Sequence, residues 1–262
     1  PAPGRSVGSA WKADNVAVER GGRRGVHPLS ADLAPGEITA ICGPNGAGKS
    51  SLLMALAGLL SPAQGTVRLG EGDLAALSPR ARAQALGYLP QGSDIAWDVS
   101  VERLVALGRH PFGDAPSQEG RQAIKAALDA PQMQALAARC VSQLSGGEKA
   151  RALLARVLAG APQWILADEP LAALDLAHQL NLIAHLRACA AKGQGVAIVL
   201  HDLSLAMNHA HRVLVLKEGA LIAQGPPEDA LDAAIIKQAW GVSARWIGER
   251  GARALITPKT AA

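Results

Sequence analysis

The sequence predicts an α/β fold around a largely parallel sheet, with a small antiparallel sheet beside it and a helical lobe inserted into it. Three observations carry that expectation. The short apolar runs "ITAIC" (Ile38 to Cys42), "WILA" (Trp164 to Ala167) and "GVAIVL" (Gly195 to Leu200) alternate with amphipathic stretches, as strands buried on both faces between helices do. Asn15 to Glu37 and Gly65 to Leu74 alternate and turn like antiparallel strands. Between Gln91 and Leu144 the pattern is helical and punctuated by Pro and Gly. At 262 residues the chain is long enough to bury a sizeable core. It reads as a single domain over 1–262, with a core from 1–91 and 160–262 that includes the antiparallel part, and a helical subdomain over 92–159.

Taken in order, the N-terminus "PAPGRSVGSAW" lacks the apolar centre of a signal peptide, and no apolar run is long enough to span a bilayer, so any membrane role is expected to be peripheral. After the first antiparallel pair, "ITAIC" runs into the glycine-rich "GPNGAGKS" and then a helix. The helical region reads as "SVERLVALGRHPF", "QEGRQAIKAALDA" and "PQMQALAARC". "LSGGEKAR" then opens a helix whose apolar stripe is Ala150, Leu153, Leu154, Val157 and Leu158, with Ser145 and Glu148 in the S-x-x-E spacing of a capping box. "WILA" ends in "DEP" and "GVAIVL" in His201. "RVLVLKEGALIAQG" reads as a hairpin around Glu218-Gly219, and "PEDALDAAIIKQAW" as one helix with Pro227 in its first turn. From Gly241 onward no assignment emerges.

A formal charge of +4, with Lys and Arg scattered and only five Trp, one Tyr and one Phe, argues against a nucleic-acid surface. Three cysteines, Cys42, Cys140 and Cys189, stand in no CxxC spacing and read as reduced, buried small side chains. Among the histidines His27, His110, His178, His185, His209 and His211 read as structural, whereas His201 ends a strand.

Three strands delivering polar groups to one sheet edge imply a ligand site there. "GPNGAGKS" fits G-x-x-x-x-G-K-[ST] at every fixed position, in the strand-to-helix context that motif needs. Its glycines let backbone N–H groups close on phosphate oxygens, Lys49 reaches the β- and γ-phosphates, and Ser50 ligates Mg²⁺. "WILADEP" supplies the matching half, Asp168 as a metal-side carboxylate and Glu169 as a candidate base for water. The tandem Gly146-Gly147 strips side chains from a helix start where a capping box does not require it, leaving a second bare anion site.

"GPNGAGKS", Gln91 in "YLPQ", "LSGGE", "ILADEP", "LAALD" and "LHD" occur in the order found in ATP-binding cassette (ABC) ATPases, and the chain resembles that family over nearly its whole length. The resemblance implies the ABC ATPase fold, with ATP and Mg²⁺ as cofactors. It implies that Gly43, Asn45, Gly46, Gly48, Lys49, Ser50 and Ser51 bind nucleotide, and that Ser50, Gln91 and Asp168 lie on the metal. Glu169 would then be the base, Gln91 would meet the attacking water and His201 would hold the γ-phosphate. Ser145, Gly146, Gly147 and Glu148 would complete the ATP site of a second copy, with Asp175 contacting that copy. The family stacks adenine on an aromatic residue near the first strands. Here the stretch reads "AVERGGRR", and the position falls near Arg20, whose guanidinium can stack on a base. Trp11 reads instead as an anchor of the first strand. "VALGRHPF", "LDLAHQ" and the stretch after His201 are similar to importers of iron-siderophore, haem or cobalamin-type chelates, with iron chelates ahead of haem. Partners would be a second copy, permease subunits and, indirectly, a substrate-binding protein, at the cytoplasmic face of the plasma membrane. The alternative is a soluble cassette serving ribosomes or cofactor assembly. A P-loop kinase would share the phosphate loop but has no use for "LSGGE".

Overall fold

The computed structural model describes residues 9–20, 23–92, 95, 98–172 and 174–257, without the side chains at 20, 23 and 24. The expectation about residues 1–8 of the N-terminus therefore lies outside the described residues. Strands β1 (Trp11–Arg20) and β2 (Arg23–Leu33) pair antiparallel and lead into β3 (Ile38–Cys42) and α1 (Lys49–Leu56). Next come β4 (Gln64–Leu69), β5 (Gly72–Asp73), α2 (Pro79–Ala85) and β6 (Leu86–Leu89). Three helices follow, α3 (Val101–Ala106), α4 (Gln118–Asp129) and α5 (Gly146–Ala159). The chain then returns to β7 (Trp164–Ala167), α6 (Leu176–Ala191), β8 (Gly195–Val199), α7 (Leu203–His209), β9 (Arg212–Lys217) and β10 (Ala220–Gly225). It closes with α8 (Pro227–Ala230), α9 (Ala233–Trp240), β11 (Arg245–Ile247) and β12 (Ala254–Ile256).

The main sheet has the order β10-β9-β3-β8-β7-β6, parallel throughout except for β10, and a separate antiparallel sheet has the order β2-β1-β4-β5. Every residue of β3, β7 and β8 is buried. Their alternation sorts residues onto two cores. Ile165, Ala167, Val196 and Ile198 pack on one face with the helical residues Leu104, Leu154 and Leu186. Trp164, Leu166, Ala197 and Val199 pack on the other with α1 and the antiparallel sheet. A pleated strand buried on both sides has no polar face, hence the unbroken apolar runs.

Several expectations change. "PQMQALAARC" is not a helix: apart from a 3₁₀ turn at Gln134–Leu136 it is irregular, and Cys140 bridges antiparallel to Ser100, pinning the two ends of the helical region together. "PEDALDAAIIKQAW" is two helices, because Asp232 takes an extended conformation and accepts the Ile235 N–H at 2.7 Å, a cap that competes with helix continuation. The Glu218-Gly219 hairpin forms as expected, with both φ values positive at +49° and +81°, the geometry of a tight two-residue turn. Cys42 and Cys189 are buried, but Cys140 is partly exposed.

Candidate active site

The loop after β3 folds tightly because Gly43 and Gly48 adopt φ of +149° and +94°, and a Cβ at either would run into backbone, the Leu216 carbonyl and the Gly25 carbonyl respectively. The β9–β10 turn supports it from outside, with the Gly219 N–H donating to the Ala47 carbonyl at 3.2 Å and the Gly219 carbonyl accepting from the His27 N–H at 2.8 Å. Ser78, Ser100, Ser117, Ser145, Asp175, Asp202 and Asp232 cap α2 to α7 and α9 with their side chains. Helix α1 differs: it opens on Gly48, which has no side chain to cap with, and its first turn holds no acid. Its leading N–H groups are left to an external anion.

Lys49 is buried, and its ammonium donates to the Gly43 and Pro44 carbonyls at 2.9 Å each. Burial pushes its pKa down, while Glu169, Cys42 and Asp168 act in the opposite direction. Neutral carbonyls are weaker acceptors than phosphate oxygens, so these contacts hold the cation in place for exchange. The Ser50 hydroxyl donates to Asp168 Oδ1 at 3.0 Å. Asp168, 3 % exposed at the end of β7, is itself fixed by its N–H donating to the Leu89 carbonyl at 2.8 Å. Burial raises its pKa, with the Ser50 hydrogen bond opposing.

Glu169 holds φ at +49°, an uncommon conformation for a residue with a Cβ. Both its carboxylate oxygens are engaged: Oε2 accepts from Gln91 Nε2 at 2.7 Å, and Oε1 lies 2.5 Å from His201 Nε2. The register explains the bracket. Leu89 of β6 pairs with Ala167 of β7, which pairs with Ile198 of β8, so Gln91 and His201 come from the strands on either side of the one that carries Glu169. Together these residues adjoin a cleft of about 390 Å³ whose lining includes Asn45, Gly46, Lys49, Ser50, Ser51, Gln91 and Glu169. Gly43 closes the loop behind it, and Asp168 and His201 reach it through Ser50 and Glu169.

The other predicted residues are elsewhere. Among the described residues none of Ser145, Gly146, Gly147, Glu148 and Asp175 lines this cleft. Ser145 and Glu148 form the capping box, the Ser145 hydroxyl accepting the Glu148 N–H at 3.3 Å and Glu148 Oε2 accepting the Ser145 N–H at 2.8 Å. Those bonds hold the Glu148 carboxyl below its usual range. Asp175 caps α6, and the backbone and ring N–H groups of His178 hold its carboxyl low as well. Trp11 is buried, edge-on to Trp164 at 5.3 Å between ring centroids, and anchors the core. Arg20 ends β1, paired with Arg23, but its side chain lies outside the described residues.

Residues 26–172 match the family model described as ABC transporter. The chain belongs to the ABC transporter family. Over 242 residues it is 40% identical to the hemin import ATP-binding protein HmuV of Rhodococcus jostii, covering 92% of this chain and 83% of that protein. Over 260 residues it is 39% identical to HmuV of Myxococcus xanthus, covering 93% and 97%. Its fold superimposes with a TM-score of 0.80 on a chain of an inward-facing ABC transporter assigned to the metal-chelate type, at 25% identity over 94% of this chain and 96% of that one. A dimeric ATP-binding cassette bound to ADP and Pi aligns with a TM-score of 0.75 at 26% identity, over 83% and 98%.

Within this ABC chain, sequence reasoning missed Gly25 and Ala47, which also line the cleft, and Gly219 behind it. Gly25 follows "GGRR", a turn signal that says nothing of an approach to the phosphate loop.

Proposed function

We propose that this chain is the ATP-hydrolysing subunit of a bacterial importer of haem or a similar iron chelate, driving a membrane permease as a pair of copies. The observation that carries the hydrolytic reading is the Glu169 carboxylate, bracketed by Gln91 and His201 beside the Ser50–Asp168 pair. With ATP in the cleft, the N–H groups of the phosphate loop and Lys49 take its β- and γ-phosphates. Glu169 accepts the proton of the water that attacks the γ-phosphorus, and the bond to ADP breaks. Gln91 and His201 orient that carboxylate, and His201, at the end of the strand beside it, is placed to hydrogen-bond the departing phosphate.

The donors fit Mg²⁺, a hard cation that takes one or two protein oxygens along with phosphate and water. Ser50 Oγ and Asp168 Oδ1, already 3.0 Å apart, would hold it with Gln91 close by, and its charge would stabilise the phosphate oxygens. The bare turn at Ser145 to Gly147, away from this chain's own cleft, supports its use on the ATP of the other copy, with Asp175 facing that copy. Residues 92–159 form the helical subdomain of this reading, the part that moves the permease, and Arg20 stacks on adenine. Haem moves ahead of other iron chelates because both sequence relatives are named for hemin import. Peripheral attachment at the cytoplasmic face belongs to the importer reading, since a permease would have to be driven from there; among the described residues no helix is long and apolar enough to cross a membrane.

The test is Glu169→Gln. ATP binding should persist, hydrolysis should fall roughly 10²–10⁴-fold, as expected on losing a positioned base, and an ATP-bound dimer should accumulate. Near-normal turnover would remove Glu169 from this role.

A further inference from the structure

His178, three residues into α6 from Asp175, has surroundings that a structural histidine does not need. Its ring Nδ1 lies 2.7 Å from Asp175 Oδ1, and its backbone N–H donates to the same oxygen at 2.9 Å. An ionised carboxylate only accepts, so Nδ1 carries the proton and donates. The ring bond is additional to capping: Asp232 and Asp202 cap α9 and α7 through backbone N–H groups alone. The imidazole also lies against the LSGG turn, since a Cβ on Gly147 would stand 3.8 Å from both its Cγ and its Nδ1. The ring, bonded to Asp175 at the start of α6, thus stands where a side chain at 147 would touch it, at the start of α5. Its Nε2 has no partner among the described residues, and the side chain is 35% exposed.

We propose that His178 is a positioning residue of the composite ATP site, binding the signature turn at Gly147 and the Asp175 carboxylate into one rigid unit presented to the other copy. The inference rests on the reading that the signature turn closes the partner's ATP site. Held apart, the two segments would each have to be ordered when the copies meet. Held by one ring, that ordering cost is met on folding.

The experiment measures the ATP concentration that half-assembles the dimer, by light scattering, in the Glu169→Gln chain with His178 intact, with His178→Ala and with His178→Asn. Asparagine restores an N–H donor close to the position of Nδ1. His178→Ala should raise the midpoint about tenfold, the worth of one hydrogen bond to a charged group, while Asn returns it to within about threefold. In the otherwise native chain His178→Ala should lower the kcat of ATP hydrolysis and leave nucleotide affinity at low protein concentration unchanged. If His178→Ala lowers only the melting temperature, His178 is simply part of a helix cap and the proposal is wrong; if Asn does no better than Ala, the bond to Asp175 does not hold the unit and the proposal is wrong as well. If the Glu169→Gln chain forms no ATP-dependent dimer even with His178 intact, the composite-site reading fails first and this proposal falls with it.

Discussion

Lys49 shows at the scale of one residue how burial opposes a charge. Its ammonium sits in a buried curl, satisfied by two neutral carbonyls, with burial working against its charge. A phosphate relieves that mismatch, so Lys49→Ala should cut ATP affinity and turnover together, affinity by roughly 10–100-fold for a lost charge-assisted contact. A nucleotide titration separates this from Glu169→Gln, which spares binding, and unchanged affinity in Lys49→Ala would count against the placement. Residues of this kind were legible in the sequence because their chemistry depends on fixed local spacing: Gly43 to Ser51 is one turn of chain, and Asp168-Glu169 is a single dipeptide. Gly25 was not legible. It reaches the cleft only because β2 folds back over the loop, bringing its carbonyl to where a side chain on Gly48 would be.

Elements were legible where burial writes a pattern into the sequence and illegible where it does not. β3, β7 and β8 are buried throughout and stand out as apolar runs. Helix α2 buries no residue and so carries no stripe to read. β11 and β12 are held from a distance, by the reciprocal Asn208–Arg253 bonds and by Trp246 Nε1 donating to the Leu231 carbonyl at 2.7 Å. The helical region has one tether whose worth can be measured. Arg109, 8% exposed, forks onto both oxygens of Asp114, donates to the Ala159 carbonyl at the end of α5 at 3.1 Å, and lies 3.9 Å over the Phe112 ring. Asp114→Ala should cost roughly 3 kcal/mol in urea unfolding, because it strands a buried guanidinium. The hydrogen bond from Arg109 holds the Asp114 carboxyl below its ordinary 3.8, so its stabilisation is complete above that pH and is lost as pH falls through the lowered value. The wild-type advantage over Asp114→Asn should therefore persist at neutral pH and shrink only below 3.8.

At the scale of the whole molecule, one chain carries two glycine-bearing helix starts that do not share a cleft, α1 at the phosphate loop, left uncapped, and α5 at the LSGG turn, capped by Ser145. Nothing inside the chain requires Gly147 to be glycine: a Cβ there meets Leu174 Cδ2 at 3.7 Å and the His178 ring at 3.8 Å, ordinary contacts. Near a helix N-terminus an aspartate is, if anything, favourable to the isolated helix. Gly147→Asp should therefore fold with an undiminished melting temperature and bind ATP as a monomer, yet fail in dimer closure and hydrolysis, because on the proposed two-copy mechanism its carboxylate would meet the partner's γ-phosphate and like charges there repel. Mixing this variant with Lys49→Ala chains makes the prediction specific. In the mixed dimer both lesions fall on one composite site and the other site is wholly native, so ATPase activity absent from both homodimers should reappear. If Gly147→Asp instead abolishes nucleotide binding by monomers, or if mixing restores nothing while the mixed dimer forms, the turn acts within its own chain and the two-copy mechanism is wrong.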